Sequence, residues 1–281
     1  MSETLLVDIR QGVGLITLNR PDRLNAIDAD MGEMLEHVMV RLALDDAVRV
    51  IAITGAGRGF CAGADLARLG ELSEPAAPGV STRRLATRPG EPQPVLDALP
   101  DSEPAFRTRY LSPMAVAKPV IAIVNGPCAG IGLALMAACD LRFASDTAVF
   151  AAVFPRRGLV AEGGLSWTLP ALIGHGAATD MLMSGRKVDA QEALRMGLVN
   201  AVHPGDELMP KALAYVQDLA DNTSPRSLRI IKRQLMAARW QTPLQATQMA
   251  YDQTMASLQS EDFHESLASL KEKRPVRFTG R

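Results

Sequence analysis

The chain has 281 residues, 47% apolar and 22% charged, enough for one large or two modest domains that bury roughly three quarters of the unfolded surface. Its 30 Lys plus Arg against 31 Asp plus Glu give a net charge of −1, without the basic excess of a nucleic-acid binder. A mean hydropathy of +0.05 and the absence of any apolar run of roughly 18 residues argue against a membrane protein.

In chain order, residues 5–9 and 13–18 are short apolar runs joined by Gln11-Gly12, the pattern of a hairpin. Pro21-Asp22 turns the chain, and the spacing of Met31, Met34, Leu35, Val38 and Leu42 predicts a helix capped by Asp28 or Asp30. The β-branched run 48–54 predicts a buried strand entering a glycine-rich loop at 55–59. Further strands are expected at 120–124, 141–144 and 148–153, alternating with helices at 129–138 and 165–173 as in βαβ units. Prolines at 75, 78, 89, 92, 94, 100 and 104 mark residues 73–104 as a surface insertion, mobile or only partly helical. After about residue 202 the strands stop, and helices are expected at 206–221, 225–238 and 243–272. The reading is an α/β core over 1–200 followed by a helical region over 201–281.

Cys61, Cys128 and Cys139 form no CxxC pair, and the four histidines show no zinc-ligand spacing. The start MSETLLVDIR has no basic stretch followed by an apolar one. A reduced, metal-free cytoplasmic protein is therefore expected.

Gly55-Ala-Gly-Arg-Gly59 follows a strand but is no dinucleotide fingerprint: position 60 is Phe and no acidic residue follows at the required distance. A tight turn explains it. In Gly59-Phe-Cys-Ala-Gly-Ala-Asp-Leu66, small residues at 61–64 leave the backbone open to a ligand, and free N–H groups there suit an anionic oxygen. A second small-residue run, Asn125-Gly-Pro-Cys-Ala-Gly-Ile-Gly132, opens a helix, whose N-terminus favours negative charge. Compact packing would also account for each loop alone; two in one chain suggest a backbone oxyanion hole.

These loops resemble those of the crotonase superfamily, the enoyl-CoA hydratase/isomerase family. Four segments are similar in order and spacing: 19–26 (Asn-Arg-Pro-Asp-Arg-Leu-Asn-Ala), 59–66, 122–140 and 185–199, and the tail 272–278 (Glu-Lys-Arg-Pro-Val-Arg-Phe) is similar to the family's. The resemblance implies an α/β spiral of ββα units with a helical C-terminal trimerisation region, as a homotrimer or dimer of trimers. It implies an acyl-CoA thioester substrate, with coenzyme A part of the substrate and no separate cofactor. The thioester carbonyl would lie between the N–H groups of Ala64 and Ile131, with Gly132 beside it. Ala62, Asp65, Leu66 and Ala67 would line the CoA groove, Arg23, Leu24 and Ala26 would flank adenine and pantetheine, and Lys273 and Phe278 would close the groove, from this or a neighbouring subunit.

The family's hydratases use two glutamates, and by resemblance those positions hold Ala134 and Phe154, neither able to move a proton. Glu162, in a glycine-flanked stretch, stands where single-carboxylate isomerases of the family carry their catalytic acid; its other reading is a helix N-terminal glutamate stabilised by the dipole. Phe154 and Trp167 would be wall residues that desolvate Glu162 and raise its pKa. One base suffices to move a proton from C2 to C4 while the oxyanion hole holds the dienolate, so a double-bond shift fits better than hydration. An enoyl-CoA hydratase and a catalytically silent acyl-CoA binder are the alternatives.

Other candidates carry less. Residues 163–167 are not a nucleophile elbow. His175 and His203 fall in expected loops, and His37 and His264 in helices. Asp140 reads as a structural carboxylate, and the basic residues at 226, 229, 232 and 233 as a solvated face or a contact for CoA phosphates.

Overall fold

The computed structural model describes residues 4–65, 67, 70, 91–99 and 102–281. The hairpin forms as expected: β1 (Leu5–Arg10) pairs antiparallel with β2 (Val13–Leu18). Asp28 caps α1 (Ala29–Leu44) by accepting from the Met31 N–H at 2.8 Å. Met31, Leu35, Val38 and Leu42 are buried while Glu33, His37 and Arg41 meet solvent, the helical period read from the sequence. β3 (Val50–Gly55) is buried throughout. Then come α2 (Ser112–Ala115), β4 (Val120–Val124), β5 (Cys128–Ala129), α3 (Ile131–Ala137), β6 (Leu141–Ser145), β7 (Val149–Ala151), α4 (Leu165–Ser184), β8 (Lys187–Asp189), α5 (Ala190–Arg195) and β9 (Ala201–His203). Four helices end the chain: α6 (Gly205–Asn222), α7 (Pro225–Ala237), α8 (Pro243–Ser257) and α9 (Glu261–Glu272).

The larger sheet has the order β1-β2-β3-β4-β6-β9, parallel from β2 onward, and β5-β7-β8 form a smaller one. Each turn of the chain visits the large sheet, then the small one, then a helix, as in β4-β5-α3 and β6-β7-α4. Cys61 continues the row in the first turn, bridging Cys128, which pairs with Phe150. This is the spiral of ββα units that the resemblance implies.

Side-chain alternation divides the core. Ile51, Ile53, Val120, Ala122 and Val124 pack with α1, α3 and α4, while Val50, Ala52, Ile121 and Ile123 face Leu208, Ala212, Val216 and Ala220 of α6. Both faces of the parallel strands are thus covered.

Several elements differ from expectation. The helix expected over 243–272 is two, because the Ser260 hydroxyl accepts from the Phe263 N–H and starts α9 afresh. The helix expected at 165–173 breaks at Gly174 but resumes to Ser184, so His175 is helical and exposed, and His203 ends a strand. Lys232 is not on a solvated face: it is buried, paired with Asp140 at 2.7 Å and donating to the Pro113 and Lys118 carbonyls. That contact does bear out Asp140 as structural. Of the proline-rich insertion, 73–90, 100 and 101 lie outside the described residues, but Leu96 and Leu99 are core residues, so this part is no surface excursion. No helix among the described residues is long and apolar enough to cross a membrane.

Candidate active site

The two small-residue loops run side by side. Phe60 and Cys61 N–H groups both donate to the Pro127 carbonyl at 3.1 Å, and the Ala129 N–H donates to the Cys61 carbonyl at 2.9 Å. Gly132 permits this approach: a Cβ there would stand 2.6 Å from the Cys61 carbonyl oxygen and 2.7 Å from its sulfur. On the other side, Ile27 N–H donates to the Gly63 carbonyl at 2.8 Å and Asp65 N–H to the Ile27 carbonyl at 3.0 Å. In such a parallel bridge the N–H of the intervening Ala64 faces away from Ile27. Ile131 is the first residue of α3, where an N–H has no helical acceptor. Among the described residues neither N–H donates to a protein acceptor, leaving two backbone donors on adjoining loops.

Glu162 lies three residues before α4, its carbonyl accepting from the Leu165 N–H at 3.2 Å. Gly163 and Gly164 follow at φ +60° and +79°, a left-handed pair that directs the chain into the helix. A Cβ on Gly163 would meet the Ala134 methyl at 2.7 Å and the Tyr110 Cβ at 3.2 Å, so the glutamate loop rests on α3 and the Tyr110 segment. Ala134 and Phe154 are both buried, and the Phe154 ring approaches Gly130. The Glu162 side chain is half-buried and makes no hydrogen bond or ion pair among the described residues. Burial raises its pKa above the ordinary 4.5. Glu162 itself lies outside the helix, whose N-cap is Gly164.

The remaining expected residues divide. Ala62 is tied to the 19–26 segment, its N–H donating to the Leu24 carbonyl at 2.9 Å. Arg23 is exposed beside it, Leu24 is at φ +48°, and Ala26 is buried. The Asp65 carboxylate is already engaged, with Arg20 at 2.9 Å and the Ala67 N–H at 3.0 Å. Burial alone would raise its pKa, but Arg20, the Ala67 N–H and Arg23 outweigh burial and hold it low. Leu66 lies outside the described residues. Trp167 stacks on Trp240 at 5.6 Å, with Phe106 at 5.8 Å and the Arg239 guanidinium 4.3 Å from its ring centre.

Phe278 sits away from the Ala64 loop within its own subunit. The Phe278 carbonyl accepts from Arg49 at 2.8 Å, just before β3 and so at the opposite end of that strand from the Ala64 loop. Lys273 is the exposed C-terminal cap of α9.

Sequence reasoning missed three supports. Arg20 is the hub of an ion-pair cluster with Asp28 at 3.3 Å and Asp65. Arg109 forms a buried pair with Glu36 at 2.8 Å, holding the Tyr110 segment against α1. Trp240 completes the aromatic cluster. The ion pairs join residues up to 73 positions apart, so only the residue types were visible beforehand. Cys61 is fully buried, and burial pushes its thiol up to about 12, the environment of a structural cysteine.

Comparison with known proteins places this geometry. The chain superposes on an enoyl-CoA hydratase of Bacillus anthracis with a TM-score of 0.84 at 27% identity, covering 99% of this chain and all of that one. The fold is thus that of the crotonase enzymes. The family model for enoyl-CoA hydratase/isomerase matches residues 8–85 and 100–281. A Mycobacterium tuberculosis protein named "Probable enoyl-CoA hydratase" is 35% identical over 99% of this chain and 93% of its own. The 1,2-epoxyphenylacetyl-CoA isomerase of Escherichia coli is 31% identical over the full length of both. The chain belongs to the enoyl-CoA hydratase/isomerase family and is an enzyme of the isomerase or lyase class.

Proposed function

We propose that this enzyme shifts the double bond of an enoyl-CoA from the 3 to the 2 position, with Glu162 as the only proton carrier. The carrying observation is a half-buried carboxylate of raised pKa and no partner among the described residues, while positions 134 and 154 hold buried apolar side chains. Glu162 removes a proton from C2, the electron pair moves into a dienolate, and the same carboxyl returns the proton at C4. The Ala64 and Ile131 N–H groups hold the developing thioester oxyanion. The proton balance closes, so coenzyme A enters only as part of the substrate. In this reading Arg23, Leu24, Ala26, Ala62, Asp65, Ala67 and Gly132 form the CoA side of the site, and Phe154 and Trp167 its apolar walls.

Exposed Ile231, Leu235, Leu244 and Leu270 on the last helices support assembly as a homotrimer or dimer of trimers. In that assembly Lys273 and Phe278 would serve a neighbouring subunit's groove. Three free, buried cysteines fit a reducing, cytoplasmic compartment.

Incubation with 3-enoyl-CoA tests the proposal: absorbance of the conjugated thioester should grow, with no change of mass. Rapid gain of one water from 2-enoyl-CoA would instead support hydration, the second reading, which the hydratase-named relatives favour. A silent binder would do neither.

A further inference from the structure

We propose that Arg20 is a positioning residue for the Ala64 arm of the oxyanion hole, an inference that rests on the reading of Ala64 as an oxyanion donor. The bridge between Ile27 and Ala64 is only one residue pair long, and an isolated pair has no neighbouring ladder to hold it. Arg20 supplies that hold from one guanidinium. Its Nη1 donates to the Ala26 carbonyl at 2.5 Å and lies 3.3 Å from Asp28, so it grips the chain on both sides of Ile27. Its Nη2 meets Asp65 at 2.9 Å, gripping the residue after Ala64.

The anchors are themselves fixed. Asp28 caps α1 through the Met31 N–H, and the Arg20 N–H donates to the Asn25 side chain at 2.8 Å, whose amide nitrogen in turn donates to the Ala56 and Gly59 carbonyls. The Arg20 side chain is 19% exposed and that of its partner Asp65 13%, so water screens the pair little. Rotation of the 63–65 segment would turn the Ala64 N–H away from the substrate oxygen, and Arg20 with Asp65 opposes that rotation. A lysine has one ammonium in place of the fork and cannot reach the carbonyl and both carboxylates in the same geometry.

A structural role alone would lower stability without changing how a bound carbonyl is polarised, and the test separates the two. Cinnamoyl-CoA serves as probe: it has no C4 proton to return, and polarisation of its carbonyl shifts its absorbance to the red. Arg20→Gln should lower kcat about 10- to 100-fold, change KM less than about threefold, and shrink the red shift of bound cinnamoyl-CoA. Arg20→Lys should recover only part of each. Asp65→Asn, which keeps the side-chain shape, should reproduce the spectral loss and carries the test if Arg20→Gln fails to fold. A folded Arg20→Gln or Asp65→Asn variant with wild-type red shift and kcat overturns the positioning role while leaving the oxyanion reading intact. A wild-type complex with no red shift overturns the oxyanion reading, and this proposal with it.

Discussion

Replacing Glu162 by Gln should make the enzyme slower and more stable at once. The amide keeps the size of the side chain but cannot accept and return a proton, and no other carboxylate occupies 134 or 154 to take over. Loss of a positioned general base costs about 10²- to 10⁴-fold, or about 3 to 5 kcal/mol of barrier at 1.36 kcal/mol per decade. The stability effect has the opposite sign. Glu162 has a raised pKa in the folded chain from burial, so its favourable contribution is complete below the unfolded value and is lost as pH rises through the folded one. Near neutral pH the ionised side chain is therefore a liability that Gln removes. Thermal unfolding should show a higher midpoint for Glu162→Gln near neutral pH, with the gap closing as pH falls toward 4.5, the ordinary glutamate value. The acid limb of wild-type kcat/KM should lie above that value and vanish from the variant's residual rate. Wild-type kcat in the variant removes Glu162 from the mechanism. A lower midpoint near neutral pH would show that its charge is paired in the folded protein.

Ala134→Glu should not create a hydratase: its Cβ already stands against Gly163, so crowding costs about 1 to 3 kcal/mol and a second buried carboxylate adds several more. The denaturant midpoint should fall, with no water-addition product by mass spectrometry. Gly132→Ala should push the two loops apart at Cys61 and lower kcat more than it weakens binding of a CoA thioester, as single-turnover kinetics and calorimetry would register. Lys232→Met should strand Asp140 and two carbonyls and cost about 3 to 5 kcal/mol in urea unfolding. Sedimentation should find a trimer or hexamer; a stable monomer at micromolar concentration contradicts the proposed assembly.

The parallel sheet and most helices were legible because their signals are local. The β-branched runs at 48–54 and 120–124 needed no partner to be recognised, and Asp28 and Asp30 marked the start of α1, with the structure choosing Asp28. The short strands β8 and β9 were missed because their three-residue lengths carry too little period to register. The loops at 59–66 and 125–132 were visible as small-residue runs, yet their contact depends on Gly132 meeting Cys61, 71 positions earlier by chain number. Lys232 was misjudged for a related reason. Helical spacing placed it with basic neighbours, but the burial of α7 against the Pro113 carbonyl is set by tertiary packing, and the sequence period cannot see which face is covered.

In the proposed reaction the apolar residues at 134 and 154 take two candidate acids out of play. Ala134 lies against Gly163, the residue next to Glu162. Ala134 and Phe154 are both buried, and desolvation is the cause of the raised Glu162 pKa. In the proposed mechanism the apolar residues at 134 and 154 leave the proton transfer to Glu162, whose pKa burial raises. A carboxylate of near-solution pKa would take a proton from C2 poorly. One with a raised pKa is a stronger base when ionised, and a dry wall also keeps water from competing for the dienolate. In the proposed mechanism the backbone N–H groups of Ala64 and Ile131 hold the oxyanion, and the loop glycines at 163 and 164 set where Glu162 stands.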